Sequence, residues 1–218
     1  MSNIVYDVVE DYIRETLKPN TGQIREMELY AEENSVPIIH KEVAELMKVI
    51  LKIHRPKRIL EIGCAIGYSS IFFESVLDKN VDIITTERNP VMLEKAEANI
   101  KNAGLNDKIK ILAGDAQETL KTVVGEFDII FIDAAKGQYK MFFDMVIDKL
   151  KVGGILISDN ILYKGMVASD DLVLRRKKTI VKRMRDYLDY ICQSDYLETT
   201  IIPIGDGLAI SYKKSECK

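Results

Sequence analysis

The sequence contains no tryptophan, only two histidines (His40 and His54) and only three cysteines (Cys64, Cys192 and Cys217). Each shortage removes a class of function. Three cysteines without a C-x-x-C pair supply neither a zinc site nor a disulfide framework, and they read as the reduced thiols of a cytoplasmic protein. Two histidines, one of them in "KIHRPKR" at a stretch read as an exposed helix end, leave Ser-His-Asp and Cys-His catalysis poorly supplied. No apolar run is long enough for a membrane span. The start, "MSNIVYDVVEDY", lacks the basic and apolar regions of a signal peptide. The net charge of −3 excludes a general polycation, so any contact with nucleic acid has to come from a local patch. The dinucleotide fingerprint G-x-G-x-x-G is absent, which counts against a nicotinamide-dependent oxidoreductase. There are no repeats, no low-complexity segments and no linker that would split the chain.

What is present is core-forming material, at 47% hydrophobic residues in a chain of 218. The first third reads helical. Ile4, Val5, Val8, Val9, Tyr12, Ile13 and Leu17 recur at helical spacing until "KPNTG" breaks the pattern. A second helix is expected over 23–33, and a third after Pro37 with Val43, Leu46, Met47, Ile50 and Leu51 on one face. From residue 58 the chain alternates. "RILEI" (58–62), "VDIITTE" (81–87), "KIKILAG" (108–114), "FDIIFID" (127–133) and "GGILISD" (153–159) read as strands, each followed by a helical stretch, the last of them a long helix within 171–193. That pattern predicts an α/β fold with a mostly parallel sheet covered by helices on both faces. The closing strands "ETTIIPI" and "GLAISYK" are joined at Gly205-Asp206-Gly207, too tightly for a crossover, so one of them runs antiparallel.

The strand ends carry the polar residues. "LEIGCAIGYSS" follows the first strand with Gly63 and Gly67 spaced G-x-x-x-G, where glycines either let the backbone approach a ligand or serve packing at a turn. Glu87 ends the second strand and could accept both hydroxyls of a ribose, or simply stand before the helix start at Asn89-Pro90. "GDAQ" (114–117) ends the third. In this order the residues resemble the class I S-adenosylmethionine (SAM)-dependent methyltransferases. The resemblance implies a Rossmann-like, seven-stranded sheet with one antiparallel strand. It implies that Glu61, Gly63, Gly67, Tyr68 and Ser69 belong to the loop around the methionine part of SAM. Glu87 would then hold the ribose, with Asp115, Ala116 and Gln117 beside the adenine.

The stretch "FIDAAKGQY" ends an apolar strand in Asp133 and places Lys136 about one turn later. The next strand ends in "SDN", Ser158-Asp159-Asn160. Either aspartate alone reads most simply as a helix cap. On neighbouring strands, Asp133, Asp159 and Asn160 form an all-oxygen set that suits Mg²⁺ or Mn²⁺. A cation at a helix start is disfavoured by the helix dipole, so Lys136 needs a reason of its own. D-x-x-K followed by D-N resembles the cation-dependent O-methyltransferases of the catechol and caffeoyl-CoA type. That resemblance implies Asp133, Asp159 and Asn160 as metal ligands, Asp133 also beside the cofactor, and Lys136 as the general base. It places Val36, in "NSVPII", over the cofactor, and it implies a small phenolic substrate.

A narrower resemblance spans nearly the whole chain, from "YIRETLKP" and "YAEENSVPI" to "DNILYKGMVASD" and "TTIIPIGDGLAIS". It is to the bacterial tRNA 5-hydroxyuridine methyltransferases within that family. It implies methylation of 5-hydroxyuridine at the tRNA wobble position (U34), an anticodon stem-loop as partner, and a single domain over 1–218. Residues 1–55 would form a helical cap or the surface of a homodimer, and 56–218 the SAM-binding core. The 5-oxygen and 4-carbonyl oxygen of 5-hydroxyuracil are neighbours, as the two oxygens of a catechol are. Residues 164–185 hold eight basic and two acidic side chains, a local charge of +6. Arg175, Lys178, Lys182 and Arg185 fall on one helical face, which is either a solvated surface or, with Lys164, a stripe that tracks phosphates. Without tryptophan, stacking on the substrate ring falls to Tyr163 first, ahead of Tyr139, Phe142 and Phe143. Cys64 reads as packing.

Overall fold

In the computed structural model, which describes residues 4–78 and 80–217, the chain forms eight α-helices and seven strands. Three helices come first: α1 (Asp7–Thr16), α2 (Gly22–Glu33) and α3 (Lys41–His54). They differ in how they use their apolar residues. On α3 the expected face turns inward, with Val43, Met47 and Leu51 buried and Leu46 and Ile50 half-buried. No residue of α1 is buried, and Val8, Val9, Tyr12 and Ile13 stay exposed. The end of α1 is fastened by charge instead. Lys41 Nζ donates to the carbonyls of Arg14 and Leu17 at 2.6 and 2.7 Å, capping its last turn. Arg14 grips both oxygens of Glu42 at 2.9 and 2.7 Å.

The residues Tyr12–Thr119 make one compact unit. Its strands are β1 (Arg58–Ile62), β2 (Asp82–Glu87) and β3 (Ile109–Ala113), all parallel, with α4 (Tyr68–Val76), α5 (Pro90–Asn102) and the short α6 (Ala116–Thr119) following them in turn. The register Ile62↔Thr86 and Glu87↔Ala113 aligns the carboxyl ends, so the three loops that follow share one rim.

Leu120–Lys218, together with the residues up to Asp11, make the other unit. β4 (Phe127–Ile132) leads through α7 (Tyr139–Val146) to β5 (Leu150–Ser158), parallel to it. α8 (Lys178–Gln193) precedes the hairpin of β6 (Leu197–Ile202) and β7 (Leu208–Lys213). β7 runs antiparallel to both β5 and β6. The strand order is β3-β2-β1-β4-β5-β7-β6, the seven-stranded sheet with one antiparallel strand that the sequence predicts. α8 lies within the expected 171–193 and starts at Lys178, because two 3₁₀ turns, Asp170–Leu172 and Arg175–Lys177, occupy the preceding stretch. Ser169 caps the first of them by accepting from the Asp171 N–H. Among the described residues no helix is long and apolar enough to cross a membrane.

Candidate active site

The loop after β1 is held from behind by a carboxylate. Glu61 is fully buried and accepts hydrogen bonds from the hydroxyls of Ser69, Ser70 and Thr85. Burial holds its carboxyl above the ordinary glutamate value, against the opposing pull of those hydroxyls. Glu61 and the Ser69 hydroxyl are turned inward, tying β1 and β2 to the first turn of α4. Tyr68 is also buried, and its phenol donates to Glu28 at 2.9 Å. Burial first, and then the Glu28 charge, push its pKa up. Gly67 caps α4 at φ +80°, a left-handed conformation that a side chain would strain.

Glu87 straps the same loop to the end of β2. One oxygen accepts from the Ala65 N–H at 2.9 Å, and the other from the N–H groups of Arg88 and Asn89 at 2.9 and 2.7 Å. These bonds use three of a carboxylate's roughly four acceptor positions, which leaves capacity for a ribose hydroxyl. Gly63 donates to Thr86 Oγ1 and lies on the same rim. Asp115 is exposed and spends one oxygen on the Gln117 N–H, at the start of the helix that Ala116 opens. Val36 is buried and, with Tyr68, Glu28 and Ile39, lines a cavity of about 540 Å³. Cys64 is buried, and burial pushes its thiol pKa up, so it packs and does not act as a nucleophile.

In the other unit, the register Ile132↔Ser158 sets Asp133 and Asp159 side by side just past β4 and β5, and the Asp159 N–H donates to the Ile132 carbonyl at 3.0 Å. The buried phenol of Tyr139 donates to the Asp159 carbonyl at 2.7 Å. Its pKa is raised by burial and then by the charges of both Asp133 and Asp159. Asn160 follows at φ +54°, a left-handed conformation uncommon outside glycine and concentrated at functional sites. Tyr163 and Lys164 share it at +48° and +56°. Among the described residues no three His, Cys, Asp or Glu side chains group as a metal site, so a cation here needs the Asn160 amide as its third protein donor. Two carboxylates and an amide are hard oxygen donors, and they fit Mg²⁺ or Mn²⁺.

Lys136 opens a 3₁₀ turn ahead of α7, and its charge is met by Asp206, 3.2 Å away. The sequence reading missed Asp206, which shows only as the middle of a Gly-Asp-Gly turn. Lys136 Nζ also lies 5.1 Å from the Tyr163 ring centroid, and Lys177 Nζ lies 5.6 Å from the same centroid. Tyr163 is half-buried, whereas Tyr139, Phe142 and Phe143 are enclosed in the core, so only Tyr163 of the four can present a face to a ligand. α8 packs on the Lys136 turn, with Arg183 Nη1 3.4 Å from the Gly137 carbonyl. Arg175, Lys178 and Lys182 are exposed as expected, and so are Lys164, Arg176 and Arg183. Arg185 departs from the stripe. Its guanidinium bonds the carbonyls of Val167 and Met166 and the Asp170 carboxylate at 2.8, 3.2 and 2.7 Å.

A sheet with a ribose-capable carboxylate at one strand end, and paired aspartates beside a lysine at others, is the layout of a methyltransferase. The chain belongs to the O-methyltransferase family, which it matches over residues 15–214. It is a SAM-dependent O-methyltransferase of the catechol and caffeoyl-CoA type. It is 29% identical over 177 residues to a catechol O-methyltransferase of Niastella koreensis, covering 78% of this chain and 80% of that one. A crystal structure from Staphylococcus aureus, assigned as a caffeoyl-CoA O-methyltransferase, is 36% identical with a TM-score of 0.89, covering 95% of this chain and all of that one. The methyltransferase PaMTH1 of Podospora anserina, solved with S-adenosylhomocysteine (SAH) bound, is 25% identical with a TM-score of 0.87, covering 96% of this chain and 95% of that one.

Proposed function

We propose that this enzyme methylates the 5-hydroxyl of 5-hydroxyuridine at the tRNA wobble position, giving 5-methoxyuridine. The observation that carries the reading is the contact between the basic element and the catalytic lysine. α8 packs on the turn of Lys136, and Lys177, from the basic stretch, shares the Tyr163 ring with Lys136. A small phenol needs no such concentration of positive charge, whereas an anticodon stem-loop brings phosphates on both sides of the base to be modified.

SAM supplies a methyl group on a sulfonium, and a divalent cation at Asp133, Asp159 and Asn160 would stabilise negative charge on the attacking oxygen. The residues of the chain do the rest. Lys136 receives the hydroxyl proton at Nζ. The O–CH₃ bond forms as the S–CH₃ bond breaks, and its electron pair leaves on sulfur. Tyr163 offers a π-face to the pyrimidine, and exposed Lys178, Lys182, Arg175 and Lys164 are available to phosphates. Glu87 and the Gly63–Gly67 loop hold the donor's ribose and methionine ends.

The test is nucleoside analysis. Hydroxylated tRNA from a strain lacking the gene, incubated with the protein, SAM and Mg²⁺, should lose 5-hydroxyuridine and gain 5-methoxyuridine. No product there, with efficient methylation of catechol, would favour the second reading, a small-molecule O-methyltransferase. The catechol O-methyltransferase among the relatives supports that reading.

A further inference from the structure

Asp206 stands in the β6–β7 turn, where an aspartate ordinarily bonds the backbone of its own turn. Here its carboxylate reaches away from the turn. One oxygen accepts from the Lys164 N–H, and the other lies 3.2 Å from Lys136 Nζ. Its backbone carbonyl accepts from the Leu162 N–H at 2.9 Å, and the Gly207 carbonyl accepts from Ile161 at 3.0 Å. The approach is so close that a Cβ on Gly207 would fall 2.3 Å from Leu162 Cγ, and Gly207 sits at φ +86°. The turn is therefore clamped onto residues 161–164, the segment with left-handed Tyr163 and Lys164.

We propose that Asp206 is a positioning residue for the methyl transfer. It orients the Lys136 amine, balances the ammonium that forms when Lys136 takes the substrate proton, and fixes Tyr163 opposite it. Base, ring and carboxylate come from three different connections, and Asp206 reaches the other two, at Lys136 and at the Lys164 N–H next to Tyr163. The logic is that of a base oriented by a third group. The proposal rests on Lys136 being the base.

Asp206→Asn separates the two duties, because an amide oxygen still accepts from Lys164 while the charge facing Lys136 is gone. Wild type, Asp206→Asn, Asp206→Glu, Lys136→Met and the double variant would be assayed on a 5-hydroxyuridine anticodon stem-loop and on catechol. Asp206→Asn should lower kcat on the order of 10- to 100-fold, with KM for SAM and the thermal midpoint near wild type. Asp206→Glu should recover part of the loss. In the Lys136→Met background Asp206→Asn should cost nothing further. A wild-type kcat for Asp206→Asn beside an inactive Lys136→Met would overturn the proposal alone, as would additive losses. A wild-type rate for Lys136→Met would overturn the base assignment, and the proposal with it. Independently of turnover, Asp206→Asn should loosen the Lys136 side chain, read as faster side-chain motion by NMR relaxation in the folded protein. Unchanged side-chain motion would also overturn the proposal.

Discussion

At the scale of single residues, the roles divide into groups that touch reactants and groups that hold those in place. Lys136→Met should remove turnover by a factor on the order of 100 or more while leaving SAH binding intact, measurable by calorimetry beside kinetics. Asp133→Asn should also abolish turnover, and it should weaken Mn²⁺ binding as read by paramagnetic relaxation, which Lys136→Met should not. Glu61→Ala should behave differently again. It strands three buried hydroxyls, and should cost about 2–3 kcal/mol in denaturant melts before any question of activity arises. Asp133, Lys136 and Asp159-Asn160 could be singled out in sequence because each lies shortly past the carboxyl end of a parallel strand, where functional residues concentrate. Asp206 was not legible, since its partner Lys136 lies 70 positions away and only a folded hairpin brings them together. The hydroxyls that close over Glu61 were hidden in sequence for a related reason, since Thr85 lies on the neighbouring strand.

At the scale of elements, α8 carries two kinds of basic residue that sequence periodicity could not separate. Lys178 and Lys182 are exposed, whereas Arg185, one helical repeat further on, bends back to clamp the carbonyls of Met166 and Val167. Lys178→Glu with Lys182→Glu should weaken stem-loop affinity and flatten its salt dependence without lowering the melting temperature. Arg185→Ala should lower the melting temperature and hasten amide exchange over 166–170. The junction of α1 and α3 makes a prediction about pH. Burial alone would raise the Glu42 carboxyl, but the hydrogen bonds from Arg14 and His40 outweigh it and hold it well below the usual range. A depressed folded pKa means that this stabilisation is present above the ordinary glutamate value, about 4.3, and fades as pH falls below it. Glu42→Gln should therefore lose more stability at pH 7 than at pH 3, as read by urea melts at the two pH values.

At the scale of the whole molecule, the strand alternation was legible almost to the residue. "RILEI" is β1 as read, and four of its five residues are buried, as a strand covered on both faces requires. β5 begins earlier than expected, at Leu150, since Gly153 and Gly154 sit inside the strand and do not start it. The two compact units predict separable ligand effects. SAH should stabilise the Tyr12–Thr119 unit by about 2.7 kcal/mol at a hundredfold excess over Kd, and so raise its melting temperature. EDTA should stop turnover and leave that shift in place. Loss of the SAH shift on chelation would contradict the separation.

The position of β7 has a consequence for how the enzyme is made. Of the described strands it is the last to leave the ribosome, yet it lies between β5 and β6, pairing Ser158 with Ala209 and Ile202 with Leu208. Until it emerges, the flank of β5 has no partner, and the aspartate that meets Lys136 has only just been synthesised. Removing the chain from Gly207 onward would thus delete an interior strand and not an edge. The nascent chain would remain catalytically silent until β7 has been made and paired.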